Sequence, residues 1–262
     1  MVNCEDVIHF LDTYLDIAHI PDASHNGLQV AGTSRVGNIA FGVSASLEFF
    51  RKAAAAGSDL AVVHHGLLWG KEQPLTGLFR ERVAFLLKHH LNLAAYHLPL
   101  DKHPVVGHNA VLMRAIKAER VQPFGEYHGQ QIGFSGIVNA RLEDIVARLE
   151  TYCQTQAKLL AYGPKEIGTV AVVSGGAGDL LPQAIGKKVD LYITGVLDEP
   201  AQEWCREGHI NCLALGHYNS EKAGVLACFL RSEGICSLHW GGLPKRRAMA
   251  AEMAAFIVSS PE

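Results

Sequence analysis

The chain has 262 residues, of which 48% are hydrophobic and 19% charged, enough apolar content to bury a core as one large or two modest domains without covalent staples. A formal charge of −3 and the lack of Lys/Arg runs argue against a general nucleic-acid or membrane-surface binder, which needs concentrated positive charge. Six scattered cysteines with no CxxC pair argue against a thiolate zinc site or a disulfide framework, whereas fourteen histidines point to metal or proton chemistry.

Taken in chain order, the apolar spacing predicts a first helix from Glu5 to Ile17, with Val7, Ile8, Leu11, Tyr14 and Leu15 on one face and Asn3 as its cap. Pro21 and Asn26-Gly27 predict a turn. Asn38 to Val43 reads as a strand, Leu47 to Ala56 as a helix closed by Gly57, and Asp59 to Val63 as a parallel strand ending at His64-His65. A helix at Leu78 to His89, a strand at Leu91 to Tyr96 and a helix at Gly107 to Ala118 repeat the pattern.

Pro123 to Gln131, rich in Gly and polar residues, is the predicted boundary. A second alternation then runs through Ile132 to Val138, Leu142 to Tyr152, Lys158 to Tyr162, Gly168 to Ser174 and Val189 to Thr194, reaching a last ligand-bearing strand at Asn211 to Leu215. Helices around Lys222 to Arg231 and Pro244 to Val258 are expected to close the chain. The fold class is therefore α/β, with two interleaved lobes of sheets flanked by helices. Residues 1–122 with 207–262 form the first lobe, carrying most candidate ligands, and 123–206 a smaller second one. No apolar run is long enough to span a bilayer and no signal-like segment opens the sequence, so the expectation is a cytoplasmic protein.

Three strand ends carry metal-ligand residue types: His64-His65-Gly66, the segment from His97 to Asp101, and His217 to Glu221. At a strand end before Gly66 the backbone can turn and aim two imidazoles at neighbouring ions. Pro99 between His97 and Asp101 predicts a rigid loop presenting the carboxylate. His217 and Glu221, four apart, share a face if a helix starts near Gly216. Each segment alone has an ordinary reading as surface composition, loop or helix cap, but three independent strand ends with the same chemistry point to one site.

Three imidazoles and two carboxylates suit Zn, Fe, Mn, Co or Ni and are too many for one catalytic ion. Two ions about 3.5–4 Å apart, bridged by Glu221, would lower the pKa of a water between them and leave a net positive centre. That favours hydrolysis of an anionic substrate such as a phosphate ester or nucleotide. His97 is a candidate outer residue or proton carrier beside them. The rival reading is a non-catalytic assembly or regulatory protein whose metals hold its lobes and whose surface binds a protein partner.

Weaker signals have plainer readings. Ser174-Gly175-Gly176-Ala177-Gly178 lacks a P-loop ending and reads as a tight turn. Asn26-Gly27-Leu28-Gln29-Val30 reads as a turn entering a strand. Trp69, Phe79 and Trp240 are core residues by default, although they could wall the site. His89-His90 closes a helix, and His103, His108 and His239 have no assigned role.

At these residues the chain resembles the dinuclear-metal family of GTP cyclohydrolase 1 type 2 homologues, the Nif-three-like proteins, in its short form without a central insert. The segments Asn26 to Val30, His64 to Gly66, His97 to Asp101 and Gly216 to Glu221 match the family's signatures in order and spacing, over essentially the whole chain. The resemblance implies two intertwined α/β lobes, two divalent ions in the cleft between them, a ring-shaped hexamer built from dimers and hydrolytic opening of the guanine ring of GTP. By matching position it implies that His64 and His65 hold different ions, that Asp101 joins the His65 ion and His217 the His64 ion, and that Glu221 bridges. The segment Cys236 to Gly242 departs from the family pattern.

Overall fold

The computed structural model describes residues 1–225, residue 227 and the backbone of 256–259. The chain is mixed α/β, and it divides into two compact units, residues 1–100 with 225–262 and residues 101–224. In chain order the first unit contains β1 (Val2–Asn3), α1 (Cys4–Tyr14), β2 (Gly27–Val30), β3 (Arg35–Val36), β4 (Asn38–Ser44), α2 (Leu47–Ala55), β5 (Leu60–His65), α3 (Gly77–Lys88) and β6 (Asn92–Ala95). Helix α4 (Leu98–Lys102) leads into α5 (His108–Ala115), β7 (Glu119–Tyr127), β8 (Gln130–Arg141), α6 (Leu142–Cys153) and β9 (Lys158–Ala161). Then come β10 (Glu166–Val173), α7 (Leu181–Gly186), β11 (Leu191–Thr194), α8 (Ala201–Gly208) and β12 (Asn211–Ala214), before helix α9 begins at residue 217. Strand β13 (Phe256–Ser259) belongs to the first unit again.

In the first unit the sheet order is β13-β4-β5-β6-β2, parallel through β4, β5 and β6 and antiparallel at both edges. The middle strands are near-continuous apolar runs, as strands covered on both faces must be. Phe49, Phe50, Leu86, Leu91 and Leu93 anchor the core on one face. Ser46 caps α2 by accepting the Phe49 amide at 3.1 Å, which sets that ring against Gly42, where a β-carbon would lie 2.8 Å from it. The Asn3 cap of α1 forms as expected, accepting the Glu5 amide at 3.2 Å.

In the second unit the sheet order is β7-β8-β10-β11-β12-β9, with β10, β11 and β12 parallel and the remaining pairs antiparallel. Its core gathers Leu112, Met113, Ile145, Leu149, Val170, Ile193 and Leu213, all essentially inaccessible. Three expectations need correction here. Residues 123–131 are no boundary but the tip of the β7–β8 hairpin, whose two-residue turn places His128 and Gly129 at φ 48° and 77° as a primed turn requires. The division of the chain falls instead after Leu100 and before Val225, not at 122 and 207, because β7 pairs with β8 and β12 pairs with β11. Leu98–Lys102 is a helical turn, not a loop, since Pro99 in a first turn forfeits no helical hydrogen bond.

At the C-terminal end, residues 256–258 lie in β13, where a helix was expected, and pair antiparallel with β4. The rest of the expected helix from Pro244, most of the one ending at Arg231, the Cys236 to Gly242 segment, His239, Trp240 and Cys228 lie outside the described residues. No described helix is long and apolar enough to cross a membrane.

Candidate metal centre

Strand β5 extends through both histidines, with His65 opposite Ser44 and its carbonyl accepting the Ala45 amide at 2.8 Å. The two rings nevertheless converge, their centroids 4.4 Å apart. His64 is wholly buried, and its Nδ1 lies 3.0 Å from the Tyr96 carbonyl oxygen. A carbonyl only accepts, so that nitrogen carries a proton. His97, just before α4, joins the pair at centroid distances of 5.0 Å from His64 and 5.7 Å from His65. Each of the three offers a ring nitrogen within 4.8 Å of the others.

A buried carboxylate fixes His97. Asp22 Oδ1 lies 2.9 Å from His97 Nδ1 and accepts the Ser24 amide at 3.0 Å, while Oδ2 accepts the Leu98 amide at 2.8 Å and the Asn26 side chain at 3.0 Å. Asn26 Oδ1 in turn accepts the His97 amide at 2.8 Å. Burial pushes the Asp22 carboxyl up, but the hydrogen bond and charge of His97, the Ser24 amide and the Asn26 side chain outweigh it and bring it down to about 2. The loop after β5 is pinned by Gln29, whose Oε1 accepts the Leu67 and Leu68 amides at 2.7 and 3.2 Å. Trp69 stands edge-on to His97 at 4.9 Å, its indole N–H donating to the Gly66 carbonyl at 3.1 Å.

In the second unit, His217 and Glu221 share one face of α9, with Nε2 3.0 Å from Oε1. Glu221 is 2% exposed and Asp101 6%. Adjacent residues touch both carboxylates: Ser174 Oγ donates to Asp101 Oδ1 at 3.2 Å, and Gly175 lies against Glu221. Gly175 has φ +70°, and a β-carbon there would lie 2.6 Å from Glu221 Oε1 and 3.3 Å from His217 Nε2. Ser220 Oγ accepts the Gly175 amide at 3.0 Å and donates to the His217 carbonyl at 2.8 Å. Asn109 ties the remainder together, donating to the carbonyls of Asp101 and Ile132 and accepting the Ser174 amide at 2.6 Å. His108, fully buried on α5, offers a ring nitrogen within 4.8 Å of an Asp101 oxygen.

His64 and His65 thus come together in the first unit, while Asp101, His217 and Glu221 lie in the second. The donor set is chemically suited to divalent ions. It combines imidazoles with buried carboxylates, groups that are costly to bury unless opposing charge or donors accompany them. Gly175 keeps the space beside His217 and Glu221 that a side chain would fill.

Sequence reasoning missed Asp22, Asn109, Ser174 and His108 as members of these clusters. Asn26 and Gln29 lie in a segment marked by the family resemblance but given no site role, Gly175 lies in one that reads as a tight turn, and nothing local marks Asp22. Of the other candidates, Phe79 packs against the first unit's core. His103 Nδ1 accepts the Val105 and Val106 amides, a turn-forming role, and His89 ends α3 as expected.

An α/β chain whose strand ends collect imidazoles and carboxylates defines a class of candidate metal-binding proteins. The family model described as Duf34/NIF3 (NGG1p interacting factor 3) matches residues 2–233, so the chain belongs to the Duf34/NIF3 family. A relative from Archaeoglobus fulgidus, named GTP cyclohydrolase 1 type 2 homolog, is 45% identical over 225 residues, covering 86% of this chain and 90% of its own. One from Pyrococcus horikoshii with the same name is 39% identical over 226 residues, covering 85% and 90%. The solved structure of TTHA1606 from Thermus thermophilus superposes with a TM-score of 0.80 at 32% identity, covering 90% of this chain and 96% of that one.

Proposed function

We propose that His64, His65, Asp101, His217 and Glu221 together hold two divalent ions, and that the protein is a metal-dependent hydrolase acting on a nucleotide or another phosphorylated small molecule. The observation carrying this reading is that each unit gathers its own share of the donors: His64 and His65 offer ring nitrogens within 4.8 Å of one another in the first, and His217 Nε2 meets Glu221 Oε1 at 3.0 Å beside Gly175 in the second. When bound, such ions supply Lewis acidity and an activated water. Glu221, held on α9 four residues from His217, has two oxygens with which to bridge. Asp22 and Asn26 hold His97 in a fixed orientation beside the His64 and His65 rings. The names of the relatives favour a GTP cyclohydrolase-type ring opening as the first reaction to try.

The test loads purified protein with Mn, Fe, Co or Zn and challenges it with GTP, other nucleotides and phosphoesters, with elemental analysis and native mass measured alongside. Two ions per chain and turnover that Glu221→Gln diminishes together with metal content support the reading. Two ions with no turnover across the panel would leave the non-catalytic, partner-binding alternative standing, and the native mass decides whether a hexamer forms.

A further inference from the structure

We infer that His97 is itself a metal donor, a sixth beside the five proposed, ligating through Nε2 in the resting protein. This rests on the two-ion reading and deepens it. The three imidazoles form one cluster: His97 lies 5.0 and 5.7 Å from His64 and His65, little more than the 4.4 Å between those two. Their ring nitrogens fall within 4.8 Å of one another, all on the first unit.

The ring engagement matches. Asp22 engages His97 Nδ1 and the Tyr96 carbonyl engages His64 Nδ1, so a metal would be ligated through Nε2 of each ring once that nitrogen is deprotonated. A histidine whose far nitrogen donates to a carboxylate is the usual arrangement of a ligating imidazole, since the outer partner fixes the ring and raises its basicity. Asp22 cannot be the ligand in its place. Its two oxygens already take four hydrogen bonds, from Ser24, His97, Leu98 and Asn26, and its side chain is 1% exposed. Trp69 packed edge-on against the ring restricts His97 from the other side. This ring is clamped at its backbone amide, at Nδ1 and against the indole.

Metal-depleted full-length protein is titrated with Co(II), reading the visible band and Kd by chelator competition, for wild type, His97→Ala, His97→Gln and Asp22→Asn. Loss of the His97 nitrogen is expected to weaken one ion at least tenfold and to shift the band, with added imidazole restoring both in His97→Ala. Asp22→Asn is expected to weaken that ion about 10–100-fold. If His97→Ala binds two Co(II) with wild-type Kd and spectrum, the inference is overturned while the two-ion reading stands. A wild type that binds only one ion overturns the two-ion reading, and the response of that ion to His97→Ala still decides the inference. Should the His97 variants fail to fold, NMR of the Co(II)-loaded wild type with labelled histidine decides. A paramagnetically shifted, slowly exchanging His97 N–H supports ligation, and an unshifted one overturns it.

Discussion

Gly66 and Gln29 meet so closely that a β-carbon on the glycine would lie 2.4 Å from both amide heteroatoms of the glutamine and 2.5 Å from the Ala95 β-carbon. Gln29 is not free to retreat, because its amide bonds Leu67, Leu68 and His25. Gly66→Ala should therefore cost about 1–3 kcal/mol by overpacking, read by urea unfolding. It should also lower metal content, since the loop it displaces starts at His65. Unchanged stability would show that the loop is looser than this packing.

Gly175→Ala combines a left-handed backbone with a contact 2.6 Å from Glu221 Oε1. The backbone alone should cost about 1–2 kcal/mol, and elemental analysis should find less metal because Glu221 must move. Gly176→Ala is the matched control. Its β-carbon would meet only the His217 ring, Cε1 at 3.4 Å, so stability and metal content should stay near wild type.

Glu221→Gln keeps the shape and removes the charge of a carboxylate that is 2% exposed. With metal it should lose the ligand-induced rise in Tm that wild type shows. A rise equal to wild type in a thermal-shift titration would remove Glu221 from the ligand set.

Cys153 is completely buried, and burial, opposed only in part by Lys222, pushes its thiol up to about 11. The folded value lies above that of an unfolded thiol, so the native state retains the proton longer. Its contribution is whole below about pH 8.5 and is lost as pH rises toward 11, about 3 kcal/mol in all. Unfolding of wild type against Cys153→Ala at about pH 8 and pH 10 should show the gap narrowing, and alkylating reagent at the lower pH should spare Cys153 until the chain unfolds.

The sequence made the β4–α2–β5–α3–β6 succession readable because these strands are near-continuous apolar runs and Gly57 closes the helix between the first two. His64, His65, Asp101, His217 and Glu221 stood out because each ends such a run. What supports them was not readable. Asp22 follows Pro21 in a segment without periodicity, and its partners at 97 and 98 are distant in the chain. Gly175 looked like any turn glycine until the carboxylate behind it appeared. The β7–β8 hairpin was hidden because His128-Gly129 and Pro123 resemble a linker, while the pairing that makes them a turn is an edge-strand matter. Leu98–Lys102 was misread by treating Pro99 as a breaker when its position is a helix start.

Strand β13 lies at the margin of the first unit's sheet beside β4, with Phe256 opposite Phe41 and the whole of the second unit encoded between them. During synthesis β4 therefore emerges long before its antiparallel neighbour exists, whereas β10, β11 and β12 acquire theirs within one continuous stretch of chain. The inserted half can mature on the ribosome while the half that encloses it in sequence waits with an open border, a template for stray strand pairing until β13 arrives.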